Sequence, residues 1–341
     1  MIKNKEISNG MKIAFYEIND WEKAIVKKKL KGHELVFFKD PLNPATLKGK
    51  ENYDAVSVFI YSRINKDVLS RLPKLELIAT RSTGFDHIDT VACSKRKVKV
   101  SNVPYYGENT VAEHTFALIL ALSRNVHKAH VKRLRNDYSL DGLKGFDLSG
   151  KTIGVIGAGN IGLHVIRIAK GFGMEVLATD INQNNFLAEV LDFKYVPLDD
   201  LLGHSDIVSI HTPYNDSTHH LINRSKLKKI KKGAILINTA RGAIVETDAL
   251  IESLDNKALA GAGLDVLEGE KLIREEREMV YEKKNAEDLA KLTTGHILLE
   301  KDNVVFTPHI AFYSQEALLR ILNTTISNIS GYFAKDQQNI I

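Results

Sequence analysis

The segment Val155-Ile156-Gly157-Ala158-Gly159-Asn160-Ile161-Gly162 constrains the fold of this chain more than any other stretch. The apolar residues that lead into it read as a short buried strand. After it, Ile161, Val165, Ile168, Ala169 and Phe172 recur on one face of a helix. Glu175 to Thr179 then reads as a second strand, ending on Asp180. A Gly-x-Gly-x-x-Gly set between strand and helix, with an acid about 20 residues further on, is the pattern of a dinucleotide-binding turn. Gly157 permits the tight turn, Gly159 lets the backbone approach a pyrophosphate, and Gly162 lets helix and strand pack closely. The helix N-terminus adds free N–H groups and a positive dipole end for phosphates.

The pattern around this turn extends in both directions. Towards the N-terminus, Lys12–Tyr16, His33–Phe38, Ala55–Tyr61 and Leu75–Thr80 read as strands, with a helical stretch at Asp67–Leu72. Strands alternating with helices indicate a parallel, doubly wound sheet. Pro104 to Asn109 marks a boundary, and a long helix starts near Thr110. Beyond Asp180, strands are expected at Asp206–His211, Ala234–Asn238, Leu259–Val266 and Val304–Phe306, and a final helix from about Ser314 to Ala334. The expected architecture is therefore α/β, with two doubly wound parallel-sheet domains.

Composition narrows the function class. A net charge of +5 over 341 residues, with lysines scattered among acids, describes a solvated surface and not a nucleic-acid-binding patch. No apolar run reaches 18 residues, so no membrane span is expected, and no signal-peptide core precedes the first strand. The single cysteine, Cys93, excludes an internal disulfide and suits a reducing, cytoplasmic setting. No metal-ligand spacing is present. The polar residues 1–10 read as a leader whose order the sequence leaves open. The charged stretch 271–302 has no role legible in its composition.

Three groups stand just past predicted strand ends of the segment with the glycine turn: Arg241, Glu270 and His309. Strand ends of one parallel sheet converge on one edge, which is where open α/β sheets bind ligands. Reducing a carbonyl requires a proton donor, and histidine is the usual one near neutral pH. A carboxylate beside that histidine orients the ring and keeps it protonated. A guanidinium suits a carboxylate because it binds in two-pronged fashion. Singly, each has a plainer reading: a loop histidine, a surface ion pair, a solvated acid. The combination carries the expectation.

The segments TRSTGFDHID, NVPYYGENTVAEHTFALIL, GVIGAGNIG, HTPYNDSTHHLIN, INTARGAIVETDAL, GLDVLEGE and VVFTPHIAFYS occur in that order over nearly the whole chain. In this the sequence resembles the D-isomer-specific 2-hydroxyacid dehydrogenases, and within them most resembles the D-lactate dehydrogenase branch. The resemblance implies catalytic roles for Arg241, Glu270 and His309. It implies cofactor contacts from Gly157, Gly159, Asn160, Ile161, Gly162, Asp180, Thr212, Pro213, Thr218, Ala240 and Asp265. It implies that the Thr83 and Gly84 amides hold the substrate carboxylate, and that Tyr61, Tyr106 and Phe312 lie beside the substrate. Asp180 would accept hydrogen bonds from ribose hydroxyls. Ile181 and Asn182 follow it in place of an arginine, so NAD is expected over NADP.

The resemblance also implies a Rossmann-type NAD domain, residues 105–307, inserted into a flavodoxin-like substrate domain of residues 1–104 and 308–341. A small 2-oxo or 2-hydroxy acid substrate and a homodimer complete the expectation. Pyruvate suits the small apolar pocket, with glyoxylate, hydroxypyruvate and longer 2-oxo acids as alternatives. The same motifs reach dinucleotide-sensing corepressors, which are binding proteins and not enzymes.

Overall fold

The computed structural model describes residues 10–47, 49–269 and 286–341. The chain forms two compact units: Met1–Tyr106 joined by Ser314–Ile341, and the continuous stretch Gly107–Tyr313.

The first unit holds a five-stranded parallel sheet. Its strands are β1 (Lys12–Phe15), β2 (Glu34–Phe37), β3 (Ala55–Val58), β4 (Leu77–Thr80) and β5 (Lys99–Ser101), in the order β2-β1-β3-β4-β5. This is the flavodoxin-like order. β3 and β4 are buried along their whole length, as expected of central strands covered on both faces. Side chains alternate across β1: Ala14 faces a core with Val56, Val58, Leu69 and Ile78. Ile13 and Phe15 face a second core, shared with Leu322, Ile326 and Ile329 of the helix Gln315–Phe333. The last helix of the chain thus completes the first unit. Beyond it, Ile340 bridges antiparallel to Ser101 on the outer edge of β5.

The second unit holds seven parallel strands: β6 (Thr152–Ile156), β7 (Glu175–Thr179), β8 (Lys194–Tyr195), β9 (Ile207–Ile210), β10 (Ala234–Asn238), β11 (Leu259–Leu264) and β12 (Val304–Phe306). Their order is β12-β11-β10-β9-β6-β7-β8. Counted within the unit this is 3-2-1-4-5-6-7, the Rossmann order with one strand added. The helix Asn160–Gly171 packs on the sheet through Gly162, Val165, Ile166 and Ala169. The long helix Glu108–Arg124 lies on the same face, with Phe116 and Ile119 in that core. The other face is covered by a core that includes Leu201, Ile222, Leu250 and Leu298.

The structure departs from the sequence reading in places. The apolar run Ala55–Tyr61 was expected to be strand throughout, but β3 stops at Val58 because a carboxylate from another segment takes the next backbone N–H groups. β5 and β8 have three and two residues, too short to show a period. Glu270 and residues 271–285 of the charged stretch lie outside the described residues.

Candidate active site

The C-terminal ends of β6, β7, β9, β10, β11 and β12 all leave the second sheet at one edge, and the motifs follow them. At the end of β6, Gly157 has φ +94, and a Cβ there would sit 2.8 Å from the His211 carbonyl carbon. Only glycine suits this turn. A Cβ on Gly162 would sit 2.0 Å from the Gly157 oxygen, so helix and turn meet there backbone to backbone. At Gly159 a Cβ would meet nothing within 4 Å, so the outer side of the turn is open. The helix beginning at Asn160 has no side-chain cap. Its first-turn N–H groups, those of Asn160 and Ile161 among them, therefore lack intrahelical acceptors.

Asp180 follows β7. Its Oδ2 accepts from Ala158 N at 2.7 Å and its Oδ1 from Asn182 N at 2.8 Å. The carboxylate is thereby fixed against the glycine turn and keeps lone pairs for an incoming hydroxyl. An open glycine turn, an uncapped helix start and an anchored acid form a cradle that suits a dinucleotide with free ribose hydroxyls.

After β9 come His211, Thr212 and Pro213. Burial pushes the His211 imidazole down to about 3, and its Nε2 meets Ser209 Oγ at 2.7 Å. It is a neutral wall behind the glycine turn. Thr218 Oγ1 donates to Pro213 O at 2.8 Å and accepts from Asn215 N at 2.8 Å, closing the loop after β9.

Asn238 ends β10 and is 1% exposed. Its Oδ1 accepts from Ala240 N and its Nδ2 donates to Arg241 O, both at 3.0 Å. This side chain sets the backbone that carries Arg241, whose Nη1 donates to Ala240 O at 2.8 Å. Asn238 was absent from the sequence expectation. The available signal was an amide closing the otherwise apolar run Ala234–Ile237.

Asp265 follows β11 and is 1% exposed. Its Oδ1 accepts from Thr307 Oγ1 at 2.5 Å and from Ile310 N at 2.9 Å, and its Oδ2 accepts from Ala311 N at 2.9 Å. The Asp265 carbonyl accepts from His309 N at 2.9 Å. His114, on the helix Glu108–Arg124, brings Nε2 to 2.9 Å from Thr307 Oγ1 and 3.4 Å from Asp265 Oδ1. The turn 307–311 is thus folded around one buried carboxylate. His309 has φ +56, a left-handed conformation that costs free energy and that Asp265 holds in place. Phe312 packs edge-on to the His309 ring, with centroids 6.3 Å apart.

In the first unit, the turn Ser82–Thr83–Gly84 follows β4. Every carbonyl of the turn accepts a hydrogen bond: Ser82 O from Val103 N, Thr83 O from Asn102 Nδ2, and Gly84 O from Ser82 Oγ. Thr83 Oγ1 donates to Val103 O at 2.8 Å. With its carbonyls turned inward, the turn leaves the Thr83 and Gly84 N–H groups without acceptors among the described residues. Such a pair of amides is a nest for an anion. Tyr61 lies on the loop after β3 and is 38% exposed. Tyr106 is half-buried, its carbonyl accepting from Arg320 Nε at 2.6 Å. Among the described residues, no group of His, Cys, Asp and Glu is arranged to hold a metal, and no helix is long and apolar enough to cross a membrane.

Residues 116–311 match the family described as D-isomer specific 2-hydroxyacid dehydrogenase, NAD binding domain. The chain is 36% identical to a D-lactate dehydrogenase of Escherichia coli over 324 residues, 94% of this chain and 96% of that one. It is 34% identical to an aromatic 2-oxoacid reductase of Clostridium sporogenes over 307 residues, 89% of this chain and 90% of that one. Among solved structures, D-lactate dehydrogenase from Aquifex aeolicus complexed with NAD and lactic acid superposes with a TM-score of 0.83 at 35% identity, covering 95% of this chain and 96% of that one.

Proposed function

Because the chain belongs to the D-isomer-specific 2-hydroxyacid dehydrogenases, which are NAD-dependent oxidoreductases, we propose that it reduces pyruvate to D-lactate, with His309 as the acid. The observation that carries this reading is the turn built on Asp265, which presents His309 at the same sheet edge as the glycine turn and Arg241.

Bound in its reduced form, NADH would supply the hydride and leave as NAD. Gly159, Asn160 and Ile161 are assigned to its pyrophosphate, on the turn that Gly157 and Gly162 make possible, Asp180 to its adenosine ribose, and Thr212, Pro213, Thr218 and Ala240 to its remaining contacts. Asp265 is assigned to the cofactor as well, and its carboxylate also shapes the turn 307–311. His309 gives a proton to the carbonyl oxygen of the substrate as the alcohol forms. Arg241 binds the substrate carboxylate and polarises the carbonyl. Glu270 is assigned, on the sequence motif, as the carboxylate that works with His309. The Thr83 and Gly84 amides bind the substrate carboxylate. Tyr61, Tyr106 and Phe312 are assigned to the substrate side chain, and their bulk favours the methyl group of pyruvate.

A homodimer in the cytoplasm is the assembly and location we propose. Exposed apolar side chains at Val126, Val131, Leu134, Tyr138 and Leu140 support the first, and the lone buried thiol of Cys93 supports the second. The test is NADH oxidation against a panel of 2-oxo acids, with the chirality of the product determined. D-lactate from pyruvate is expected. L-lactate, or no turnover with any 2-oxo acid, would overturn the reading. Faster turnover of aromatic 2-oxo acids would move the substrate and leave the chemistry in place.

A further inference from the structure

Glu17 lies just past the end of β1 in a left-handed conformation, φ +53, and sends its side chain across the sheet edge to the turn after β3. Its Oε2 accepts from Phe59 N at 2.9 Å and Ser62 N at 3.1 Å, and also from the Ser62 hydroxyl. Its Oε1 accepts from Tyr61 N at 2.9 Å. One carboxylate therefore gathers four donors from the residues 59–62. The base of the arrangement is equally fixed. Arg81, only 2% exposed, donates from Nη2 to Tyr16 O and Glu17 O, both at 2.7 Å, and from Nη1 to Ser57 Oγ at 3.0 Å. Its guanidinium lies 5.6 Å from the centre of the Phe59 ring. Glu17 N donates to Asp40 O at 3.2 Å, and Ser62 Oγ accepts from Leu42 N at 2.9 Å.

None of these bonds completes the sheet, since β3 pairs with β1 as far as Ser57 and with β4 as far as Val58. A surface turn of this length satisfies its N–H groups with water or with its own carbonyls. Here an anion from a distant segment takes three of them, and the middle one belongs to Tyr61.

We propose that Glu17 is a positioning residue for substrate specificity. Its carboxylate holds the Phe59–Ser62 turn, fixes Tyr61, and so sets the size of the 2-oxo acid side chain that is accepted. This rests on the assignment of Tyr61 to the substrate side chain. A single methylene in an apolar pocket changes discrimination by about tenfold to two-hundredfold, so loosening one wall is measurable.

Glu17→Gln keeps the shape, leaves one acceptor oxygen and turns an NH2 group onto backbone donors. The ratio of kcat/KM for pyruvate to that for 2-oxobutyrate is expected to fall about tenfold. The change should lie in the KM for pyruvate, with kcat and the KM for NADH within about twofold of wild type. Glu17→Ala leaves a donor-lined hole of carboxylate size. Acetate should restore its ratio, while chloride at equal ionic strength should not, and wild type in the same acetate corrects for inhibition. Rescue by a free carboxylate is a response that a mere folding defect does not give. If Tyr61→Ala shifts the ratio and neither Glu17 variant does, the inference fails and the assignment of Tyr61 stands. If Tyr61→Ala leaves the ratio unmoved, both fail. A Glu17→Gln protein that loses kcat for both acids alike, or does not fold, also overturns the inference.

Discussion

Replacing Asp265 by asparagine tests the construction of the site directly. The wild-type carboxylate holds Thr307 Oγ1 and Ile310 N on Oδ1 and Ala311 N on Oδ2, at 1% exposure. An asparagine oxygen placed on the Oδ1 side keeps the first two donors. Its NH2 then faces Ala311 N–H, and a buried donor left unmatched costs about 1–3 kcal/mol. The two retained bonds lose their charged acceptor, each weakening by about 1 kcal/mol. The sum, roughly 3–5 kcal/mol, has two places to appear. If the turn holds its shape, the loss falls on stability. At about 2–4 °C per kcal/mol for a unit near 200 residues, the melting transition drops by roughly 6–20 °C. If the turn relaxes instead, His309 leaves its left-handed conformation, and kcat falls by roughly 10²-fold, the lower end of general acid catalysis. Scanning calorimetry and steady-state NADH oxidation on one preparation read both. An Asp265→Asn protein with wild-type kcat and an unmoved melting transition would falsify the idea that this carboxylate builds the turn.

Three further outcomes are expected. His309→Ala should lower kcat roughly 10²-fold or more, with the KM for NADH nearly unchanged; near-wild-type turnover would remove His309 from its role. Asp180→Ser removes the acceptor for ribose hydroxyls and the charge that repels a 2′-phosphate. The ratio of kcat/KM for NADH over NADPH should fall about tenfold or more, as loss of one charged hydrogen bond implies, and an unchanged ratio would argue against Asp180 as the selector. His211 is held neutral down to about 3, whereas an unfolded histidine titrates near 6.5. Below that ordinary value the unfolded chain binds a proton the folded one does not. This site therefore destabilises the protein as pH falls from about 6.5 towards 3, by at most about 1.4 kcal/mol per pH unit. His211→Gln should flatten that part of the stability–pH curve, and an identical slope in the variant would count against a neutral His211.

Much of the site was legible because its chemistry sits at sequence punctuation. Gly157 and Gly162 stand between a short apolar run and a helix with a visible period, and Arg241 and His309 follow the short apolar runs of β10 and β12. The supporting shell was harder to read for a physical reason. Glu17 meets Tyr61 across 44 residues of sequence and Asp265 meets Ile310 across 45, so no local pattern connects them. Asn238 and Asn102 act through single amides on neighbouring carbonyls, and a lone asparagine carries no period. The family resemblance implied that Asp265 contacts the cofactor; its bonds to Thr307, Ile310 and Ala311, in the turn after β12, had no signal in the sequence.

The split first unit has a consequence for synthesis. Its sheet is laid down within the first 101 residues, but Leu322, Ile326 and Ile329, which cover one face of it, emerge only after the whole second unit. Domains fold as the ribosome delivers them, so the continuous second unit has all its strands in hand while Ile13, Phe15, Leu77 and Ala79 of the earlier sheet are covered only by residues such as Ile18, Val26 and Leu30, in and beside the helix Asp20–Lys29. The segment translated first is therefore finished last, and over that interval part of its apolar face waits for a cover that only the final helix supplies.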